Sequence, residues 1–257
     1  MCTALVSFDP AARFPLLLAG IRDEFADRAW DPPGAHWPDR PGVLGGRDRL
    51  AGGTWLAVDP SVPRAGCVLN GTGVLALEET RLSRGDLPLR AAADGDLGDL
   101  DLTRIDPFHL ICGEPSKVRL WTWTGTDLTD QWLEPGLHIV VNTGLSGTCA
   151  ATGGSIPKAG LDGIRARLEH FTPRLEAVDR PDPAEGETAA AWGPWLPLVE
   201  GDGLDPADPR ALLLRHEGER VFASTSVSLV ALAGDAVRYD FSGRPGDRSA
   251  WRTVLGG

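Results

Sequence analysis

Apolar and polar residues alternate from the second residue of the chain onward. Cys2, Ala4, Val6 and Phe8 fall on one face of an extended segment, and Thr3, Leu5 and Ser7 fall on the other. Residues 2–8 therefore predict a largely buried strand, closed by the turn signal Asp9-Pro10. Residues 14–20, an apolar run bounded by Pro and Gly, predict a second strand beside it. Ile21-Arg22-Asp23-Glu24-Phe25 then sets three charges in a row directly after that strand, the pattern of a solvated turn. Residues 27–42, rich in Asp, Pro and Trp, predict a loop. Gly45-Gly46 and Gly52-Gly53 read as two turns around a charged tip, the second feeding a strand that begins near Thr54. Two glycine pairs so close together imply backbone passing tightly over something.

Further on, residues 108–113 and 117–123 predict paired strands joined by Glu114-Pro115-Ser116, with Trp121 and Trp123 on one face as core. Residues 136–142 predict another strand. Leu161, Ile164, Leu168 and Phe171 space an amphipathic helix over 159–171. Residues 179–209 form an acidic, Pro-rich connection with one short helix around 189–195. Three strands close the chain at 211–217, 221–233 (broken once) and 236–241. Strands dominate, no internal repeat is visible and no linker divides the chain, so residues 1–257 predict a single α+β domain.

Composition narrows the function. The 257 residues carry 25 basic and 36 acidic side chains, a net charge of −11. That sign repels phosphate backbones and anionic headgroups, which argues against nucleic acid and membrane partners and leaves a small molecule. Oligomeric state is not legible. Gly and Pro supply about a fifth of the residues and imply many turns. Cys2, Cys67, Cys112 and Cys149 form no C-x-x-C pair, so neither a zinc ribbon nor a thioredoxin-like motif is expected. With no leader pattern and no long apolar run, a cytoplasmic chain without membrane insertion is expected.

The chemistry concentrates at Cys2. A residue this small allows removal of Met1, which would leave a thiol and a free α-amine on one residue. An α-amine titrates near about 7.7–8.0 and a thiol near about 8.5, so the amine is a base of suitable strength attached to the nucleophile it could activate. Asn70 and Asn142 each end a predicted strand. They are either turn residues or donors to an oxyanion.

Several blocks along the chain resemble the NRDE family, whose eukaryotic member is called transport and Golgi organisation protein 2. They are Met1-Cys2, Ile21-Arg22-Asp23-Glu24-Phe25, Gly45-Gly46-Arg47-Asp48 and Gly52-Gly53-Thr54-Trp55-Leu56. Val68-Leu69-Asn70, Ser83-Arg84-Gly85-Asp86-Leu87 and Phe108-His109-Leu110-Ile111 extend the likeness. Ile21 stands where the family pattern has Asn. Ala223 stands where it has a late Arg, with Arg220 nearest in sequence. The resemblance implies a four-layer αββα sandwich of two antiparallel sheets, as in the N-terminal-nucleophile hydrolases. It implies Cys2 as nucleophile on an amide or thioester, with its own amine as base, Arg22 and Asp23 orienting the thiol, and Asn70 and Asn142 as donors. The competing reading of Arg22 and Asp23 is a structural ion pair. The alternative that the family suggests is a non-catalytic carrier of haem or of acyl-CoA or lipid. No cofactor is otherwise expected. Haem would need one of His36, His109, His138, His170, His216 or Cys2, with His36 beside Trp37 the best placed. The pocket walls are expected from residues 27–42, 88–104 and 179–209.

Overall fold

The computed structural model describes residues 2–147 and 156–256. Cys149 lies outside them. The strands run in chain order as Thr3–Phe8 (β1), Leu16–Phe25 (β2), Trp30–Gly34 (β3), Leu44–Asp48 (β4), Leu56–Asp59 (β5) and Arg64–Asn70 (β6). They continue as Phe108–Glu114 (β7), Lys117–Trp123 (β8), Leu128–Trp132 (β9), Gly136–Val141 (β10) and Gly144–Leu145 (β11). The last are Arg215–His216 (β12), Phe222–Leu232 (β13), Val237–Ser242 (β14) and Trp251–Leu255 (β15). Helices are Leu87–Asp94 (α1), Lys158–Glu176 (α2), Thr188–Trp192 (α3) and Trp195–Val199 (α4).

Two antiparallel sheets result. The first is ordered β11-β10-β1-β2-β13-β14-β15, with β12 paired to β13, and the second is a meander in chain order from β3 to β9. Ala4, Val6, Leu16 and Leu18 of the first sheet meet Leu56, Val58, Leu69 and Ile111 of the second. On the other face, Leu5, Leu17, Ala19 and Ile21 pack under Ile164, Phe171, Trp192 and Trp195 of α2, α3 and α4. Leu87 and Ala91 of α1 cover Phe108, Leu110 and Trp121 on the far side of the second sheet. The layering is helices, sheet, sheet, helix, the expected αββα arrangement. β1 and β2 are adjacent and central, with Thr3 opposite Ile21 and Phe8 opposite Leu16. The period-2 alternation of residues 2–8 is thus an alternation between two cores.

Several expectations require correction. β2 does not stop at Gly20 but runs to Phe25, so the three charges lie within a strand and Arg22 and Asp23 are buried. They stay extended because β13 pairs alongside them, from Phe222 opposite Phe25 onward. Residues 27–42 hold the strand β3 despite Pro32-Pro33. It is the edge strand of its sheet, where a missing N–H is tolerated. The helix expected over 159–171 extends to Glu176 across Pro173, and only Arg215 and His216 of the strand expected at 211–217 pair. The break expected in 221–233 is a bulge between Ser224 and Ser226.

Gly45-Gly46 sits in β4 and makes no turn. Its role is packing: a Cβ on Gly46 would lie 2.4 Å from the Trp55 ring. Gly53 is held as tightly, since a Cβ there would lie 2.4 Å from the backbone of Gly85. Gly53→Ala should therefore cost about 1–3 kcal/mol of stability through overpacking against backbone that cannot move aside. Gly52→Ala has a φ of 76° but nothing within 4 Å, and should cost only about 1 kcal/mol of backbone strain. Urea denaturation of the two variants checks the order.

Candidate active site

Cys2 stands at the leading end of β1, half-buried, with its side chain on the face between the sheets. Its thiol contacts the Asp23 carbonyl oxygen at 3.9 Å. It opens into a cleft of about 490 Å³ whose lining includes Arg22, Asp23, Asp48, Trp55, Asn70 and Arg84. The Cys2 backbone N–H donates to Asn142 Oδ1 at 3.0 Å, and Asn142 Nδ2 donates to the Asn70 carbonyl at 2.8 Å. Asn142, just beyond β10, therefore joins the start of β1 to the end of β6 in the facing sheet. The Asn70 side chain lines the cleft and has no hydrogen-bond partner among the described residues.

His109 supports Asn142 from behind. Its Nε2 meets the Asn142 carbonyl at 3.2 Å and its Nδ1 meets Thr122 Oγ1 at 2.9 Å. A carbonyl only accepts, so Nε2 carries the proton and Nδ1 accepts from the hydroxyl. Burial holds this imidazole down at about 4, against the pull of the Asn142 carbonyl, so it is neutral at pH 7.

Arg22 and Asp23 project to opposite faces of β2. Arg22 lies toward the second sheet: Nη1 donates to Thr225 Oγ1 at 2.9 Å and the guanidinium sits 4.4 Å above the Trp55 ring. Asp48 and Glu24 approach its Nη2 at 3.5 and 3.7 Å. Asp23 Oδ1 accepts from Ser224 Oγ at 2.6 Å. Ser224 pairs with Asp23 and Ser226 with Arg22, so Thr225 is the extra residue of the bulge and is turned toward Arg22. Burial raises the Asp23 carboxyl above the usual carboxylate range, opposed by the amino-terminal charge and by Arg167 of α2. Burial likewise raises the Cys2 thiol, while the amino-terminal charge pulls it down. The resting sulfur is a thiol, and any attack by it needs a base.

All five residues expected from the sequence thus converge: Cys2, Arg22, Asp23 and Asn70 line the cleft, and Asn142 is bonded to Cys2. The expected walls do not. Apart from Arg28, the lining comes from β2, the segments 48–55 and 81–85, and from Val68, Asn70 and Asp106. Arg220 is not a substitute at the site; it is exposed, paired with Asp27 and stacked on Phe25. Sequence reading missed the parts played by His109, Thr225, Trp55 and Asp48. Trp55 and Asp48 carried a signal through the two glycine-rich blocks and His109 through the block of residues 108–111, whereas Thr225 carried none. None of the five histidines lines the cleft, and His36 is tied to the Pro32 carbonyl at 2.8 Å. Among the described residues no group of three His, Cys, Asp or Glu side chains could hold a metal ion, and no helix is long and apolar enough to cross a membrane.

This is a four-layer αββα protein with a cleft that opens at a cysteine heading a central strand. It belongs to the family described as Transport and Golgi organisation 2 (TANGO2), which matches residues 1–162. The comparison with curated proteins gave no match. Among solved structures, a similar one is the Caenorhabditis elegans ortholog of N-acylethanolamine-hydrolyzing acid amidase (NAAA). It shows 11% identity and a TM-score of 0.35, over 55% of this chain and 70% of that one.

The His109 arrangement predicts a pH dependence. The unfolded imidazole takes a proton near its ordinary 6.5 and the folded one only near 4, so the unfolded chain binds more protons between those values. Stability should fall as pH drops through that window, with His109 contributing up to about 3 kcal/mol of the loss. His109→Gln, which offers its amide N–H where Nε2 was, should lose less stability between pH 7 and pH 4.5 than the parent. Urea midpoints at the two pH values measure the difference.

Proposed function

We propose that this protein is an N-terminal cysteine hydrolase or acyltransferase acting on an amide or thioester bond of a small molecule. The observation that carries the reading is the placement of Cys2. Its sulfur opens into the cleft, and its backbone nitrogen is held by Asn142 Oδ1 beside the buried pair Arg22 and Asp23.

Removal of Met1 would turn that nitrogen into an amine. Asn142 would accept one of its N–H bonds and leave its lone pair to take the thiol proton. The sulfur then bonds to the substrate carbonyl carbon, and the carbonyl electron pair moves onto oxygen. The unengaged Asn70 side chain and the second Nδ2 hydrogen of Asn142 are the donors for that oxyanion. Collapse breaks the bond to the leaving group, which takes the proton from the ammonium. The resulting thioester on Cys2 passes its acyl group to water or to another acceptor. Arg22 steadies the developing thiolate. Asp23 holds the ammonium, and its buried carboxylate keeps that charge close.

The reading requires a mature chain that begins at Cys2, which intact-mass measurement of native protein checks. Cys2→Ala should abolish turnover of amide or thioester substrates while changing stability by less than about 1 kcal/mol. Arg22→Ala and Asp23→Ala should slow acylation by roughly 10²–10⁴-fold without removing the nucleophile. Activity surviving in Cys2→Ala but lost in Asp23→Ala would make water the nucleophile, with Asp23 or Glu24 as its base, and would end the proposal.

A further inference from the structure

Four guanidinium groups line the cleft at Cys2, and three of them are satisfied by the protein. Arg28 Nε donates to Asp48 at 2.5 Å. Arg81 Nε lies 3.2 Å from Asp106 Oδ1, and its Nη2 donates to the Ala76 carbonyl. Arg22 is held by Thr225, Trp55, Asp48 and Glu24. Arg84 differs. Among the described residues its one hydrogen bond runs from Nη1 to the Pro107 carbonyl at 3.0 Å, and none of their carboxylates stands within ion-pair reach. The closest acidic influence on it is Asp106, whose Oδ1 is already shared by Arg81 and the Ala76 N–H.

Arg84 is also held in place. Gly85 N–H donates to Ser83 Oγ at 3.1 Å, and the Gly85 carbonyl accepts from Thr54 N–H at 2.9 Å. The close contact of Gly85 with Gly53 locks this segment against the loop that follows β4. The backbone carrying Arg84 is thus fixed before any ligand arrives, which lowers the entropic cost of binding. Its Nε–Nη2 edge is the open one, and that edge matches the two oxygens of a carboxylate. A half-buried cation without a counter-charge is costly, and burial depresses its hold on its proton. An anion on the substrate removes that cost.

We propose that Arg84 is the anion-recognition residue of this cleft and that the substrate is a carboxylate-bearing amide of the N-acyl amino acid type. The carboxylate pairs with Arg84 and the amide carbonyl lies at Cys2. Leu50 and Leu82, both exposed and both in the cleft wall, receive the apolar acyl part at the mouth. The proposal rests on the acyl-transfer reading in taking the Cys2 cleft as the substrate's seat.

Titration calorimetry on the Cys2→Ala protein separates binding from chemistry. The probes are N-butanoylglycine, its neutral amide N-butanoylglycinamide and the phosphonate N-butanoylaminomethylphosphonate. The carboxylate should bind roughly tenfold or more tighter than the carboxamide, as expected for a charge-assisted bond. Adding Arg84→Gln should bring that ratio to about one and leave carboxamide binding unchanged. Arg84→Lys, which keeps the charge but loses the planar edge, should keep only part of the preference, and it serves as the test should Arg84→Gln fail to fold. A ratio near one in the Arg84 protein, a ratio that survives Arg84→Gln, or no carboxylate binding at millimolar concentration overturns the proposal. Tighter binding of the phosphonate overturns the carboxylate assignment. If the carboxylate preference depends on Arg84 but the mature Cys2 protein cleaves neither amide, the anion site stands and the acyl-transfer reading fails. Cleavage of both amides at equal KM does the reverse.

Discussion

One carboxamide holds the site together. Asn142 accepts from the first described backbone nitrogen of the chain and donates to the last carbonyl of β6, and so fastens the two sheets where they would otherwise part around the cleft. Each bond contributes only about 1 kcal/mol to stability. Their value is geometric: they fix the nitrogen beside Cys2 to within hydrogen-bond tolerance. His109 completes the set by occupying the Asn142 carbonyl, and Thr122 completes His109. The chain Thr122–His109–Asn142–Cys2 crosses from one sheet to the other through side chains in which each polar atom has a partner. A buried polar network is affordable only on that condition.

The second constraint is electrostatic. Arg22 and Asp23 are adjacent in sequence, buried, and directed to opposite faces of one strand, so they cannot neutralise each other side by side. Each needs its own partners. The bulge in β13 supplies Thr225 to one and Ser224 to the other. The glycine-rich blocks supply the rest on the Arg22 side. Gly46 leaves room for the Trp55 ring, which lies under the guanidinium, and Asp48 approaches its edge. Those blocks are no phosphate loop. They are the packing that allows a buried cation to stand beside a thiol.

The sequence made some of this legible for reasons that can be named. Residues 2–8 alternate cleanly because both faces of β1 are buried against different layers, and residues 14–20 are apolar throughout because β2 is central. Trp121 and Trp123 share a face that the structure covers with α1. Where β2 acquires charge it stays a strand, and period and polarity alone could not reveal that, since its pairing partner lies about two hundred residues away. β9 was invisible because all five of its residues are exposed and carry no alternation. The cleft walls were misplaced for a similar reason. Residues 81–85 reach the cleft through long-range contacts, among them those of Gly85 with Gly53 and Thr54 and of Leu82 with Ile105, which no local pattern announces.

The two departures from the family pattern are resolved differently by the geometry. Ile21 points away from the cleft into the core beneath the helices, among Ala19, Ile164 and Phe171. An apolar residue is what that environment favours. Ala223 on β13 sits between Glu24 of β2 and Arg215 of β12, and Arg220, the Arg nearest to it in sequence, stays outside with Asp27. A cation whose charge reaches Asp23 comes from another layer. Arg167 of α2 is buried, donates to the Ala211 carbonyl at 2.8 Å and reaches Thr3 Oγ1 at 3.3 Å, and its charge opposes the burial of Asp23. A buried carboxylate needs positive charge nearby, and the fold is indifferent to which element provides it. Here a helix outside the sheet meets the requirement that the strand residue leaves open.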